Sequence, residues 1–325
     1  MGYLGLRKAS SPLLLGPLSS WFLVGLLVAV TAGAMARDRS PSTRPVSPTK
    51  VDPVAEQIAA GWDALELVNF PKAHKAFQAV LRSNPTPAQK AEALFALGHL
   101  WQYRQNGADL DRARELYEQV VRELANTPAG PLAMLALARM ADAPPYEKDR
   151  RIEDARKLYR KIINRYGDRF VAHEAVLRLA MTYLERRGDR ASEDAGAKIL
   201  RDHLAKHAKN FLGIVMRSQL AELHFSRREY RQAVEQWIAV ETLDAAAGKN
   251  RAMSPLARSG LYFRIAKVSE KHLKDYAAAA KWYTKLVTEV PRENRYYLAK
   301  ISAARCRKLS ASATTKPADR GGPGR

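Results

Sequence analysis

From about Val54 to Leu309 the apolar residues fall three and four apart, the spacing of a helix that buries one face. One pattern recurs. An Ala is followed four residues later by a large ring, with aliphatics three and four beyond that. Ala73 precedes Phe77, Val80 and Leu81; Ala113 precedes Tyr117, Val120 and Val121; Ala155 precedes Tyr159, Ile162 and Ile163. Ala233 precedes Trp237 and Val240, Ala279 precedes Tyr283, Leu286 and Val287, and a weaker copy pairs Ala195 with Ile199. Successive copies are spaced by 40, 42, 40, 38 and 46 residues. Positions i and i+4 share a helix face, so each copy sets a small residue beside a large one. The small residue admits a neighbouring helix and the ring fills the space beyond. A further apolar residue stands three before each Ala: Phe70, Leu110, Ile152, Tyr230 and Tyr276. Pro85 and Pro291 follow the first and last copies, where they stop a helix.

A second helix with its own signature precedes each copy. Leu94, Leu97, Gly98 and Trp101 define it, and Val176, Leu179, Ala180 and Tyr183 repeat it. Met134, Leu137 and Ala138, then Tyr262, Ile265 and Ala266, repeat it without the ring, and Leu220, Ala221 and His224 form a partial copy. The paired patterns resemble the tetratricopeptide repeat, whose two small residues lie twelve apart, as do Gly61 and Ala73, and Ala221 and Ala233. The likeness covers about residues 54–291, with 293–309 reading as a terminal capping helix. Every spacing exceeds the family's 34-residue period, which predicts longer loops or longer helices.

The resemblance implies an all-α, right-handed α-solenoid of about six helical hairpins. It also implies a concave groove lined by the first helix of each hairpin. Transferring the family's offsets selects Phe95, His99, Gln102 and Tyr103, then Arg139, Met181 and Glu185, then Glu222 and Phe225, and finally Phe263, Lys267 and Glu270. Aromatics among charges suit a peptide or helix of a protein partner. Charge reversal at Arg139 and Lys267 is then expected to weaken capture without altering helicity. The combination is also similar to extracytoplasmic members of the family in bacterial envelope assembly.

The N-terminal 36 residues change the picture of location. Arg7 and Lys8 precede the apolar run Trp21–Val30, and Ala34-Met35-Ala36 has the small-residue spacing of a signal-peptidase site. Export to the periplasm or exterior is expected. Retention as an N-terminal membrane anchor stays open, because Arg37, Arg39 and Arg44 follow directly. Residues 37–53 and 310–325 are rich in Pro, Ser, Gly and charge and read as a linker and a tail.

Net charge is +21, unevenly spread. Residues 54–147 carry 9 basic and 11 acidic residues, 148–231 carry 21 and 12, and 232–309 carry 15 and 7. A basic second half adds an anionic polymer or lipid surface as an alternative partner. Nucleic acid and small-molecule substrates are not expected for an exported protein lacking nucleotide-binding or nucleophile motifs. The single Cys306 excludes a disulfide and a cysteine zinc cluster. His203 and His207 share a helix face, but two ligands beside Lys206 and Lys209 read as a solvated face. Neither metal nor cofactor is expected, and no catalytic residue.

Overall fold

The computed structural model describes residues 52–104, 107–186, 188–208 and 212–314. The leader, and the linker up to residue 51, lie outside them. The described residues form thirteen α-helices and no strand. Six hairpins follow in order: α1 (Pro53–Glu66) with α2 (Phe70–Arg82), α3 (Pro87–Tyr103) with α4 (Leu110–Glu123), and α5 (Ala129–Asp142) with α6 (Ile152–Tyr166). Next come α7 (Phe170–Leu184) with α8 (Arg190–Lys206), α9 (Gly213–Ser226) with α10 (Tyr230–Ala246), and α11 (Pro255–Val268) with α12 (Tyr276–Glu289). A last helix, α13 (Tyr296–Thr314), packs on α12. It runs on past Leu309, so the segment expected to open the tail begins as helix.

Local chemistry sets the boundaries. Asn69, Thr86, Asp109, Asp189, Ser254 and Asp275 each accept a hydrogen bond from a first-turn N–H, satisfying a donor the helix cannot. Thr86 and Gln89 close a capping box. Pro85 and Pro291 lie in the loops after α2 and α12, as expected. The residues beyond the family period sit partly in longer helices, α3, α8 and α10 having 17 residues each, and partly in the connections. The longer connections hold a 3₁₀ turn at Glu147–Asp149, another at Gly248–Asn250, and a π-helical turn at Ser269–Leu273 that ends on left-handed Lys274.

Each helix packs on its chain neighbours, and the first helices α1, α3, α5 and α7 also touch in succession. The core is a chain of five clusters, each bridging adjacent hairpins, from Ile58–Leu100 to Ala221–Cys306. No hairpin buries its apolar face alone, so the chain is an all-α repeat solenoid whose stability is built by nearest-neighbour stacking. Every ring expected to be core is buried: Phe77, Tyr117, Tyr159, Trp237 and Tyr283. The small residues on the first helices explain how the rings fit. A Cβ on Gly98 would lie 2.6 Å from the Tyr117 ring, and one on Gly61 would lie 2.6 Å from Phe77. No real Cβ tolerates that approach.

The fourth hairpin corrects the sequence reading by one residue. Gly196 and Leu200 are buried, whereas Ala195 and Ile199 are only half-buried. A Cβ on Gly196 would meet the Leu184 side chain at 2.8 Å and the Ala180 carbonyl at 2.9 Å. The helices therefore cross at Ala180 and Gly196, one step later than the Ala pattern indicates. On α13, Ala299, Ala303 and Cys306 face the core while Tyr297, Leu298 and Ile301 are exposed.

Candidate functional site

The residue directly after each first-helix small residue occupies one register position: Trp62, His99, Arg139, Met181, Glu222 and Lys267. All are half-buried except Lys267, which is exposed. Trp62 lies 6.3 Å from His99 between ring centroids, and His99 meets Tyr103 at 4.6 Å with the rings tilted by 47°. Phe95 sits beneath them, 5.6 Å from the core ring Tyr117. Phe263 likewise packs edge-on against Tyr283 at 5.7 Å. These two phenylalanines serve the packing between helices more than an open surface.

Two of the charges along the row, Arg139 and Glu222, are already paired across repeats. Trp62 Nε1–H donates to Glu92 Oε1 at 3.1 Å, joining α1 to α3. Arg139 donates to Glu174 of α7, which also accepts from Arg178 Nε at 3.4 Å. Glu222 pairs with Arg264 of α11, whose guanidinium lies 5.4 Å from the Trp237 ring centre. Lys267 has no ion-pair partner among the described residues. Glu185, at the end of α7, accepts from Arg150 at 2.5 Å.

Two of the residues assigned to the groove have another task. Four positions after the small residue, Gln102 Oε1 accepts from the Tyr117 hydroxyl at 2.9 Å, and Glu270 Oε2 accepts from Tyr283 at 3.0 Å. Asp142 Oδ2 does the same for Tyr159 at 3.2 Å. Burial pushes all three phenols above their ordinary range, so each stays a donor. Where the ring has no hydroxyl acceptor need, the same position is apolar. Leu65 serves Phe77, Leu184 faces Gly196 and Leu200, and Phe225 lies 5.8 Å from Trp237. Gln102 and Glu270 therefore point at their own second helix, whereas the Phe225 ring stays exposed and also lies 6.4 Å from His272 of the next hairpin. Glu270 is further held by Arg305 of α13 at 2.6 Å.

Burial, then the Arg139 charge, lowers the His99 pKa from 6.5 to about 4. The folded chain thus refuses a proton that the unfolded chain accepts, and stability falls as pH drops from about 6.5 toward about 4. Urea midpoints at pH 7 and pH 5 are expected to differ more in the wild type than in His99→Gln. An equal drop in both would assign the pH sensitivity elsewhere.

A second constellation adds a third histidine to a pair the sequence shows on one helix face. His173, at the start of α7, meets His203 and His207 at the end of α8, and one nitrogen from each lies within 4.8 Å of the others. Burial first, then the neighbouring imidazoles, lowers His203 to about 4, and burial with His207 lowers His173.

No protein-family model matches the chain, and no curated protein matches it. Solved structures similar to it include BtubC (BKLC) from P. vanneervenii, 16% identical with a TM-score of 0.44, covering 85% of this chain and 96% of that one. A tetratricopeptide repeat protein from Parabacteroides merdae is 15% identical with a TM-score of 0.41, covering 78% of this chain and 98% of that one. Yeast Tom70 is 11% identical with a TM-score of 0.32, covering 94% and 77%. The helical-repeat class rests on the hairpins and their matched small and ring positions.

Proposed function

We propose that this chain is a non-catalytic protein-interaction scaffold of the bacterial cell envelope. It holds an extended or helical segment of a protein partner along the first helices of its hairpins. The observation that carries this reading is the register row Trp62, His99, Arg139, Met181, Glu222 and Lys267. It combines ring faces, a thioether and charges of both signs, the chemistry that recognises a peptide rather than a small metabolite. Cross-repeat pairs hold the row in place before any partner arrives, which lowers the ordering cost of binding. The envelope location is supported by the leader's charge and apolar pattern. No described helix is long and apolar enough to cross a membrane.

The test is crosslinked capture from an envelope fraction with Lys267→Glu and Met181→Glu, two changes that leave the paired charges intact. Each is expected to reduce capture several-fold with unchanged helicity. Undiminished capture in both would remove the row from the account. Raising salt from about 0.1 to 0.5 M should weaken capture modestly. A steep collapse would favour an anionic polymer or lipid surface instead. N-terminal sequencing of the purified chain should begin at Arg37 if the leader is cleaved. Recovery in the cytoplasmic fraction would contradict export.

A further inference from the structure

Hairpin geometry brings together what the sequence holds 30 residues apart. In an antiparallel pair the first turn of one helix lies beside the last turn of the other. His173 is therefore level with His203 and His207. His207 is the C-cap of α8, its φ of −130° turning the chain out of the helix. Its N–H still bonds the His203 carbonyl at 2.9 Å, so the one-turn spacing survives. The three ring centroids are 4.5–5.0 Å apart, and His173 Nδ1 lies 3.0 Å from His203 Nε2.

We propose that His173, His203 and His207 form a site for a divalent transition-metal ion of the zinc class, which clips the open end of the fourth hairpin. Two imidazole nitrogens bound to zinc at about 2.0–2.1 Å sit about 3.3 Å apart at a tetrahedral angle. The 3.0 Å separation of the first pair needs to widen by only a few tenths of an ångström. His207 reaches the same point by a small ring movement, since all three donor atoms fall inside 4.8 Å. All three side chains are half-buried, open enough for an ion to enter and covered enough to limit water.

The donor set decides the class of ion. Three imidazoles and no carboxylate among the nearest donors favour zinc, copper, nickel or cobalt over magnesium or calcium, which demand oxygen ligands. A fourth position remains for water or for Asp168, whose Oδ1 is 3.5 Å from His207 Nε2. Lys206, exposed on the last turn of α8, repels a cation at His203, and the Asp168 carboxylate opposes that effect. The sequence reading stopped at two ligands because the third belongs to the partner helix.

The experiment uses untagged, chelator-stripped protein at pH 7.5, titrated with zinc and, separately, magnesium by calorimetry. One zinc per chain is expected, no magnesium, and a raised thermal midpoint with zinc. Cobalt should give the intense visible absorption of a low-coordinate ion. His173→Ala should weaken zinc by at least about 100-fold, more than the roughly 10–100-fold typical of losing an outer-shell partner. Zinc binding that survives His173→Ala unchanged would reduce the site to a surface pair on α8 and overturn the proposal. So would weak, non-stoichiometric binding by the wild type. If His173→Ala loses helicity, the wild type still decides. Zinc must then protect His173 and His203 together from diethylpyrocarbonate, read by peptide mass spectrometry, and protection of neither contradicts the site.

Discussion

Truncating Tyr117 to Ala is expected to destabilise the chain by about 3–5 kcal/mol, the cost of emptying a fully buried ring position. The ring lies against Gly98, packs on Phe95 and ends in a hydrogen bond to Gln102. Its loss uncouples α3 from α4 and weakens the cluster shared with α5. Tyr117→Phe keeps the ring and removes only the hydroxyl, so it should cost about 1 kcal/mol. Urea denaturation followed by circular dichroism separates the two. A Tyr117→Ala cost below about 1 kcal/mol would mean that the ring is not the keystone of its hairpin. Comparable losses in both variants would mean that the hydroxyl, not the ring, carries the contact.

Reversing Arg139 to Glu is expected to cost about 3–5 kcal/mol, the usual penalty for stripping a buried charge of its partner. Glu174 has a side chain only 3% exposed, and Arg178 alone, at 3.4 Å, would be left to oppose two carboxylates. The sequence reading expected this reversal to weaken binding with helicity untouched. The structure corrects that expectation, because Arg139 ties α5 to α7. The double reversal Arg139→Glu with Glu174→Arg should recover part of the loss, a coupling that a double-mutant cycle measures directly. Strict additivity of the two single changes would show that the pair does not interact.

What was legible in the sequence follows from distance along the chain. The Ala and ring positions lie one turn apart on a single helix, so periodicity alone found Phe77, Tyr117, Tyr159, Trp237 and Tyr283. The fourth hairpin misled because Ala195 and Gly196 are adjacent and both small. Only the contact with Ala180 and Leu184 selects Gly196. Pairing of a hydroxyl ring with a polar acceptor four residues after the small position crosses from one helix to the next. It was visible only by aligning both helices of every repeat: Gln102 with Tyr117, Asp142 with Tyr159, Glu270 with Tyr283. Offsets carried over from the family placed Gln102 and Glu270 in the groove because they ignored that demand. The cross-repeat pairs Trp62–Glu92, Arg139–Glu174 and Glu222–Arg264 span 30, 35 and 42 residues. Unequal repeat spacing hides such pairs from any fixed period. His173 was missed because it lies on the other helix of the hairpin that carries His203 and His207.

The central claim is that a partner lies along the first helices. Amide hydrogen exchange of the chain, with and without its captured partner, tests it most directly. Added protection is expected on α1, α3, α5, α7, α9 and α11, around Trp62, His99, Arg139, Met181, Glu222 and Lys267, with little change on the second helices. Protection confined to α2, α4, α6, α8, α10 and α12, or to α13, would contradict the account.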